Sequence, residues 1–371
     1  MKSRLPGAIA TGLMTITTAL WTFWGVAEMY YEGWGNPFPA PLAYLIPGLV
    51  CLILSVIVVT WPLLGGLLIL LVGGSFTIWW VGLTASRGNL SLVGLLSMFP
   101  VSGMLVLIGV LFLLEARYRR YRRGTDWTPP ANWIARNFRY VLVVGAPVVV
   151  FFVVSAFSLP NLIYRIDDGD RSARLIEGNG VTLIWAPAGP GWNWKQPFGG
   201  YPSWNSIALY GVEPIGIDAR PKPGFEDKSA DTFHMATTSV CHYLSEDGLT
   251  LANEPQNTWR MPTTEEVVRS LVLHGENAGC SWNGSTGWAD CPDQPDKETP
   301  LWAPNQEPVY LWTADEASED GEAYYVSYNG AVHQQPKSWG NPRHGYRCVR
   351  EVPVGDEAQG PSSTREAPSE G

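Results

Sequence analysis

Few residues of this chain have the type and spacing that catalysis requires. The 5 histidines include no His-Glu-x-x-His pair, and no Gly-x-Ser-x-Gly motif presents a nucleophilic serine. No glycine-rich stretch is followed by the Lys-Ser or Lys-Thr pair of a phosphate-binding loop. The sequence therefore predicts no catalytic residues and favours a function that depends on binding.

One tripeptide has the composition of part of a calcium site. Gln294–Asp296 (Gln-Pro-Asp) matches the sugar-specificity tripeptide of calcium-dependent lectins, and calcium prefers carboxylate and carbonyl oxygens. The Trp-Asn-Asp partner of that tripeptide should follow it, whereas Trp282–Gly284 (Trp-Asn-Gly) precedes it and lacks the aspartate. A chance match in a proline- and aspartate-rich loop is the simpler interpretation.

A second acidic group is concentrated in one short stretch. It comprises Asp315, Glu316, Glu319, Asp320 and Glu322. Carboxylates at this density suit calcium, but a solvated hairpin loop has the same composition. We predict no cofactor. If calcium binds, the candidate ligands are Asp296, Asp315, Glu316 and Asp320.

Tryptophans are the other candidates for binding. Residues 161–371 contain 10 of the 18 tryptophans, and exposed Trp and Tyr side chains stack on sugars or form hot spots for protein partners. Four of them are candidate ligand-binding residues: Trp282, Trp288, Trp312 and Trp339. The alternative is that most tryptophans are core and loop anchors of a small, loop-rich fold.

Cysteine use points to an oxidising compartment. Cys51 lies in an apolar run, and the other four cysteines follow residue 240: Cys241, Cys280, Cys291 and Cys348. Four cysteines in one half predict two disulfides. Sequence alone allows three pairings, and four buried free thiols are the alternative.

Charge is distributed unevenly along the chain. Residues 1–160 hold 10 of the 25 Lys and Arg residues and 4 of the 34 Asp and Glu residues. Residues 161–371 therefore carry 15 basic and 30 acidic side chains, which argues against nucleic acid as a partner because phosphate contacts need clustered Lys and Arg. The chain thus combines an apolar first half with a solvated, acidic second half.

The first half contains five apolar segments long enough to cross a membrane, which takes about 20 residues. Leu5–Ala27 has no charged side chain, and Gly33–Ser86 has none over 54 residues, with a turn at Thr60–Pro62. Tyr140–Tyr164 is a further uncharged run. The predicted spans after the first are 41–60, 66–84, 90–114 and 139–160.

An arginine cluster sets the predicted orientation. Seven arginines lie between residues 117 and 139: Arg117, Arg119, Arg120, Arg122, Arg123, Arg136 and Arg139. By the positive-inside rule they mark the cytoplasmic face and contact anionic lipid. The N-terminus is then cytoplasmic and the C-terminal domain extracytoplasmic, in agreement with the cysteine argument. Glu28 and Glu115 are predicted at span ends, so no ionisable group within a span indicates transport.

These patterns divide the chain into five regions. Residues 1–138 are predicted as a four-helix membrane region with an arginine-rich cytoplasmic loop, and 139–160 as a fifth transmembrane helix. Residues 161–178 are a polar linker, 179–353 an extracytoplasmic domain, and 354–371 a disordered tail. Within the domain we expect a strand at 181–185, a capping box at Thr263–Glu266 and a hairpin over 324–332 with an Asn-Gly turn.

Five motifs of the second half resemble a known family. In order, they are Cys241–Leu244, Trp259–Glu266, Tyr310–Thr313, Ala323–Val326 and Gly345–Arg350. Over about 179–353 they resemble the C-terminal domain of the Legionella collagen-like adhesin family, which is related to the formylglycine-generating enzyme (sulfatase-modifying factor) group. The resemblance implies an α+β domain with the C-type-lectin-like fold.

The resemblance also bears on the disulfides and on catalysis. In lectin-like folds a helix cysteine bridges to the last strand, which implies Cys241–Cys348 and leaves Cys280–Cys291 as the second pair. Formylglycine-generating enzymes hold copper with a separate cysteine pair upstream of the last motif, whereas no cysteine occurs here between Cys291 and Cys348. We therefore expect a protein that is not an enzyme.

The expected function is that of a bacterial-type, multi-pass membrane protein that displays a non-catalytic lectin-like domain outside the cytoplasm. Its expected partners are membrane lipid and a glycan, a cell-wall component or a protein at the cell surface. The alternatives are an enzyme related to sulfatase-modifying factors with an unrecognised site, and a membrane sensor or transport component.

Overall fold

The computed structural model describes residues 5–35, 38–86, 91–97, 99–122, 132–192, 202–212, 230–317, 321–340 and 343–353. Asp320 and the predicted tail, 354–371, lie outside these residues. The chain forms two compact units, Met1–Leu162 and Ile163–Gly371. An apolar helical part and a separate part that contains sheets are therefore present, as the sequence predicts.

The helices of the first unit follow the apolar runs. Within the described residues they are α1 (Leu5–Tyr31), α2 (Ile46–Thr60), α3 (Pro62–Ser86), α4 (Leu92–Ser97), α5 (Met104–Arg122) and α6 (Trp133–Tyr164). Four segments have the length and composition to cross a membrane: Leu5–Tyr31, Ala40–Thr60, Pro62–Ala85 and Arg136–Tyr164. Large apolar side chains lie on their surfaces, including Leu71 and Ile78, which are 68% and 74% exposed. Such exposure is typical of a lipid-facing surface.

The predicted fourth span, 90–114, is not among these segments. α4 ends at Ser97, a π-helical turn covers Phe99–Gly103, and α5 begins at Met104. Pro100 lies in that turn, where its ring and its missing N–H interrupt regular α-helical hydrogen bonding. The described residues thus contain four membrane-length helices, and a fifth crossing stays a prediction.

α3 and α5 pack closely because glycines face each other. A Cβ atom on Gly66 would lie 3.1 Å from the carbonyl oxygen of Gly109, and a Cβ atom on Gly109 would lie 3.0 Å from that of Gly66. A Cβ atom on Gly73 would lie 2.8 Å from the Leu105 side chain. Small residues allow such an approach between membrane helices. These pairs make the two helices antiparallel, so α5 ends beside the start of α3.

The second unit is built from small sheets and short helices. Its strands are β1 (Arg174–Gly178), β2 (Val181–Trp185), β3 (Val272–Leu273), β4 (Glu276–Asn277), β5 (Gly287–Trp288), β6 (Tyr310–Glu316), β7 (Glu322–Ser327), β8 (Ala331–Pro336), β9 (His344–Gly345) and β10 (Val349–Glu351). Its helices are α7 (Trp204–Ala208), α8 (Thr232–Thr237) and α9 (Thr264–Arg269). The sheets have the orders β1–β2–β10, β3–β4 and β5–β8–β7–β6–β9. Strands pair antiparallel except for β6 with β9.

Local sequence signals are confirmed in this unit. The Thr263 side chain accepts from the Glu266 N–H, and the Glu266 carboxylate accepts from the Thr263 N–H at 2.8 Å, which completes the predicted capping box of α9. The β7–β8 hairpin turns at Asn329-Gly330, where Gly330 has φ 87°. A positive φ favours glycine, so the geometry of the turn accounts for the glycine at position 330.

The predicted linker, 161–178, proves to be structured. α6 continues to Tyr164, and β1 pairs with β2 along its whole length. Arg165 forms an ion pair with Asp296 at 2.8 Å. The charges that suggested a solvated linker instead pair with each other, as Arg174 does with Asp168 at 2.8 Å. The folded unit therefore begins before residue 179.

Both disulfides are the pairs that the resemblance implied. Cys241 and Cys348 lie 5.6 Å apart at Cα and are separated by 107 residues in sequence. Cys280 and Cys291 lie 4.1 Å apart at Cα and close a loop of the chain with a separation of 11 residues. The long-range bond ties the segment after α8 to the start of β10.

Arg347 is fully buried in the core of the second unit. Its Nε donates to the carbonyl oxygen of Ala186 at 3.0 Å, and its Nη1 donates to those of Pro300 and Leu301 at 2.7 and 2.6 Å. Its guanidinium lies 3.8 Å from the centroid of the Trp192 ring. Burial lowers the pKa of Arg347 well below its usual value. The carbonyls and the ring therefore compensate part of the cost of burying the charge.

His344 is a second buried titratable group. Its ring centroid lies 4.9 Å from those of Tyr310 and Trp312 and 4.7 Å from that of Tyr325. Burial, and secondarily the charge of Arg343, lowers the pKa of His344 to about 3. The ring is therefore neutral in the folded protein at pH 7.

Replacing Arg347 with lysine should lower the free energy of unfolding of the second unit by about 2–4 kcal/mol, because an ammonium lacks the planar fork that satisfies three carbonyls. Urea unfolding of the full-length protein in detergent measures the change. Arg350→Lys is the matched control, since Arg350 lies 4.8 Å from the Trp259 ring centroid but is only half-buried. Its loss should stay below about 0.5 kcal/mol. Equal losses in the two variants would contradict the anchoring role of Arg347.

The second unit should lose stability as the pH falls from about 6.5 towards 3. Below pH 6.5 the unfolded chain binds a proton on His344, whereas the folded chain does so only near pH 3. At pH 5 this difference in proton binding lowers the free energy of unfolding by about 2 kcal/mol. The His344→Phe variant should not show that loss. Urea unfolding at pH 7 and pH 5 measures it.

The control for this pH dependence is His274→Asn. His274 is exposed and has φ 54°, a conformation that asparagine accepts. This variant should keep the wild-type pH dependence. An unchanged pH dependence in His344→Phe would show that the buried ring does not contribute to it.

Candidate functional site

The loop closed by Cys280–Cys291 is closed at its base and paired with the sheet along one strand. Ser281 and Asp290 exchange backbone hydrogen bonds of 2.8 and 2.9 Å just inside the disulfide. Further along, β5 pairs with β8 at the edge of the five-stranded sheet, with Trp288 opposite Ala331. The loop is therefore held by a covalent bond and by strand pairing, although most of its residues are exposed.

Two of the candidate tryptophans lie in this loop. The Trp282 ring packs edge-on against Tyr324, with centroids 5.3 Å apart, and its Nε1 donates to the Ser285 carbonyl at 2.7 Å. Trp288 is 63% exposed, and its cross-strand neighbour, Ala331, is too small to cover an indole ring. Trp282 thus anchors the loop, while Trp288 offers an apolar surface to solvent on a fixed strand.

The other two tryptophans do not join this surface. Trp312 is fully buried, and its Nε1 donates to the Pro202 carbonyl at 3.1 Å, so it belongs to the core. Trp339 is 47% exposed. It follows the far end of β8, at least roughly 17 Å of strand away from the residue opposite Trp288. Of the four candidates, only Trp282 and Trp288 share a local structure.

Polar side chains lie in the same loop as the exposed tryptophan. The Asn283 side chain accepts from the backbone N–H of Ser285 at 3.0 Å and from its hydroxyl at 2.6 Å, which shapes the tip of the loop. Asp290 is exposed at the base of the loop. A loop that carries an exposed aromatic side chain together with amide, hydroxyl and carboxylate groups suits a ligand with both apolar faces and hydroxyl groups.

The candidate calcium ligands are occupied by protein partners. Asp296 pairs with Arg165, the Asp315 carboxylate accepts from the Thr264 N–H at 2.6 Å, and Glu316 accepts from the Lys337 Nζ at 2.6 Å. The fourth candidate, Asp320, lies outside the described residues. Among the described residues no three His, Cys, Asp or Glu side chains come together as a metal site would require. The arrangement gives no support to the calcium alternative.

Lys297 is a buried charge that the sequence did not reveal. It is 1% exposed, its Nζ donates to the Gln306 carbonyl, and burial together with the charge of Arg165 lowers the pKa of Lys297 to about 7. Its neighbour Glu298 is equally buried and accepts from the Gly275 N–H at 3.0 Å. Lys-Glu-Thr has the composition of an exposed loop, so only the tertiary fold could reveal this pair. Their burial leaves no access for a ligand.

In the first unit, Glu115 combines burial with charge. It was predicted at the end of a span, and it is only 3% exposed there. Its Oε1 pairs with Arg119 at 3.0 Å and with Arg139 at 2.8 Å. The carboxylate lies where a Cβ atom on Gly7 would be, so glycine in α1 leaves room for it. Glu115 therefore ties α5 to α6 beside α1.

Comparison with known proteins adds no relative. No protein-family model matches the chain, and no curated protein and no solved structure matches it significantly. The resemblance to the adhesin and formylglycine-generating enzyme families therefore stays a prediction, and the argument for function depends on the geometry of the chain itself.

Proposed function

We propose that this protein is a membrane-anchored binding protein whose second unit is a non-catalytic, lectin-like module outside the cytoplasm. The loop closed by Cys280–Cys291 is its recognition surface, and Trp288 is the residue on which a ligand stacks. The observation that carries the proposal is the 63% exposure of Trp288 on a strand that is held by a disulfide and by sheet pairing.

A fixed aromatic side chain favours binding for an entropic reason. Ordering a mobile loop or side chain on binding costs free energy, and a tryptophan on a paired strand has lost most of that freedom beforehand. Its indole also buries a large apolar area against the face of a sugar ring or a protein side chain. A glycan or cell-wall component is thus the proposed ligand class, with a surface protein as the alternative.

Two observations support the proposed location. Disulfides persist in oxidising compartments, and all four cysteines of the second unit are paired. The arginines between residues 117 and 139 favour the cytoplasmic face for that part of the chain.

The antiparallel contact of α3 with α5 supports the proposed number of crossings. Because α5 (Met104–Arg122) runs antiparallel to α3, it returns to the end at which α3 begins. We therefore propose a crossing that ends with α5, in addition to the four membrane-length helices, which gives five crossings. An odd number puts the N-terminus and the second unit on opposite sides of the membrane.

The non-catalytic part of the proposal follows from the cysteines and histidines. The two disulfides together contain all four cysteines of the second unit, so no thiol is left to bind copper as in formylglycine-generating enzymes. His344 is enclosed by aromatic rings, and Lys297 is buried. Neither is in contact with the proposed recognition surface.

Trp288→Ala should weaken binding about 30-fold, the loss typical of an aromatic hot spot of about 2 kcal/mol. The measurement is titration of the full-length protein in nanodiscs with a panel of glycans and peptidoglycan fragments, with and without a calcium chelator. Binding should not depend on calcium, because the candidate ligands other than Asp320 are already paired. The melting temperature should change little, since Trp288 is exposed.

Phe233→Ala is the matched control, because Phe233 is 70% exposed on α8 in the same unit. It should bind every ligand as the wild type does. Two results would overturn the proposal: no member of the panel binds, or Trp288→Ala binds as tightly as the wild type. If the panel fails but a membrane protein is captured through Trp288, the alternative ligand class is correct.

A further inference from the structure

A cavity of about 830 Å³ lies in the first unit where α2 and α3 meet α5. Its walls come from the end of α2, the first turn of α3 and the charged end of α5. Trp61, at the connection, is 60% exposed. The cavity therefore lies at the ends of two membrane-length segments, Ala40–Thr60 and Pro62–Ala85.

One side of the cavity is positively charged. Arg117, Arg119 and Arg120 all line it. Arg119 is held by Glu115 at 3.0 Å and by the Val59 carbonyl at 3.0 Å. Arg117 and Arg120 are exposed and form no ion pair with any residue that the structure describes. Two arginines without an ion pair among the described residues thus line the cavity, and their charge is available to an anion.

The carboxylate of Glu115 does not neutralise this charge. Glu115 already pairs through Oε1 with both Arg119 and Arg139, which leaves an excess of positive charge in this part of the unit. Arginine binds phosphate oxygens in a bidentate manner and holds its charge at every physiological pH. The chemistry of this wall therefore favours a phosphate group.

The rest of the lining is largely apolar. Pro62, Leu63, Leu64 and Leu113 line the cavity, and Leu63 and Leu64 are 48% and 52% exposed. A free inorganic anion gains no binding energy from an apolar surface, whereas an acyl chain buries apolar area when it lies along it. The cavity thus combines a phosphate-binding side and a hydrocarbon-binding side.

Aromatic side chains give the depth of the cavity in the membrane. The Tyr140 hydroxyl donates to the Thr60 hydroxyl at 3.2 Å, and Trp61 follows directly in the chain. Tryptophan and tyrosine concentrate at the membrane–water interface, which is the depth of lipid phosphates. A phospholipid in the adjacent leaflet would therefore meet the arginines with its head group and the leucines with its chains.

We infer that this cavity is a binding site for an anionic phospholipid, with its phosphate on Arg117 and Arg120 and an acyl chain along Leu63 and Leu64. The site goes beyond the binding module of the second unit. It rests only on the membrane placement in the proposed function, and it is independent of Trp288 and its ligand.

The test is titration of the full-length protein in neutral detergent with dioctanoyl phosphatidylglycerol, dioctanoyl phosphatidylcholine and inorganic phosphate, followed by native mass spectrometry. Phosphatidylglycerol should bind at least tenfold more tightly than phosphatidylcholine. The double variant Arg117→Gln/Arg120→Gln should lose at least tenfold in affinity, given about 1 kcal/mol for each basic residue at an anionic lipid surface.

Arg136→Gln is the control for charge, because Arg136 is an exposed arginine of α6 that does not line the cavity. It should bind phosphatidylglycerol as the wild type does. Leu64→Gln tests the apolar wall and should weaken lipid binding without unfolding the bundle. Trp288→Ala should leave lipid binding unchanged, so the two proposals can fail separately.

Three results would overturn the inference. Equal affinity for phosphatidylglycerol and phosphatidylcholine would remove the role of charge. An equal loss of affinity for phosphatidylglycerol in Arg136→Gln and in the double variant would mean that arginines attract the lipid without a specific site in this cavity. Binding of inorganic phosphate as tight as that of the lipid would make the site one for free anions.

Discussion

The second unit depends on a guanidinium buried against backbone carbonyls. Arg347 reaches the residue after β2, at Ala186, and the turn at Pro300 and Leu301. The next residue, Cys348, is bonded to Cys241. One dipeptide therefore joins a sheet, a turn and a helical segment that are far apart in sequence. A loop-rich chain with few long elements needs such junctions, because regular hydrogen bonding alone does not hold its loops together.

The first unit also contains a buried charge, but there other charges compensate it instead of backbone carbonyls. A carboxylate among apolar helices is costly unless other charges compensate it. Glu115 has Arg119 on its own helix and Arg139 on α6, and Gly7 provides the space. Because both arginines bind one oxygen of Glu115, their neighbours Arg117 and Arg120 stay available. The buried ion pair thus separates the arginines that hold the helices from those that face the cavity.

Sequence reasoning succeeded where the signal is local. Apolar runs predicted five spans, four of which are membrane-length helices. The capping box predicted the start of α9, and Asn329-Gly330 predicted a hairpin. It gave no signal where the partner is distant. Asp296 pairs with an arginine 131 residues away, and Asp315 and Glu316 contact partners 51 and 21 residues away.

The tryptophans show the same limit. Trp312 lies on β6, inside the five-stranded sheet, whereas Trp288 lies on β5 at its edge. The residue type alone does not separate a core tryptophan from a surface one. Pro100 lies within the predicted fourth span, 90–114, where the structure has a π-helical turn. Position within a sheet and hydrogen bonding within a broken helix are tertiary properties, which explains why they were missed.

The pairing of β1 and β10 with the same central strand has a consequence for the use of this unit. Since β1 and β10 lie on either side of β2, the entry and exit of the described part of the fold are about 10 Å apart. After β2 the chain leaves this small sheet, forms the rest of the unit, including the disulfide-closed loop, and returns to the sheet at β10. A module with adjacent ends can be inserted into a surface loop of an unrelated carrier without stretching either chain. The second unit, together with its disulfide-closed loop, therefore has the adjacent ends of a transplantable module, and in this chain it follows a bundle of apolar helices.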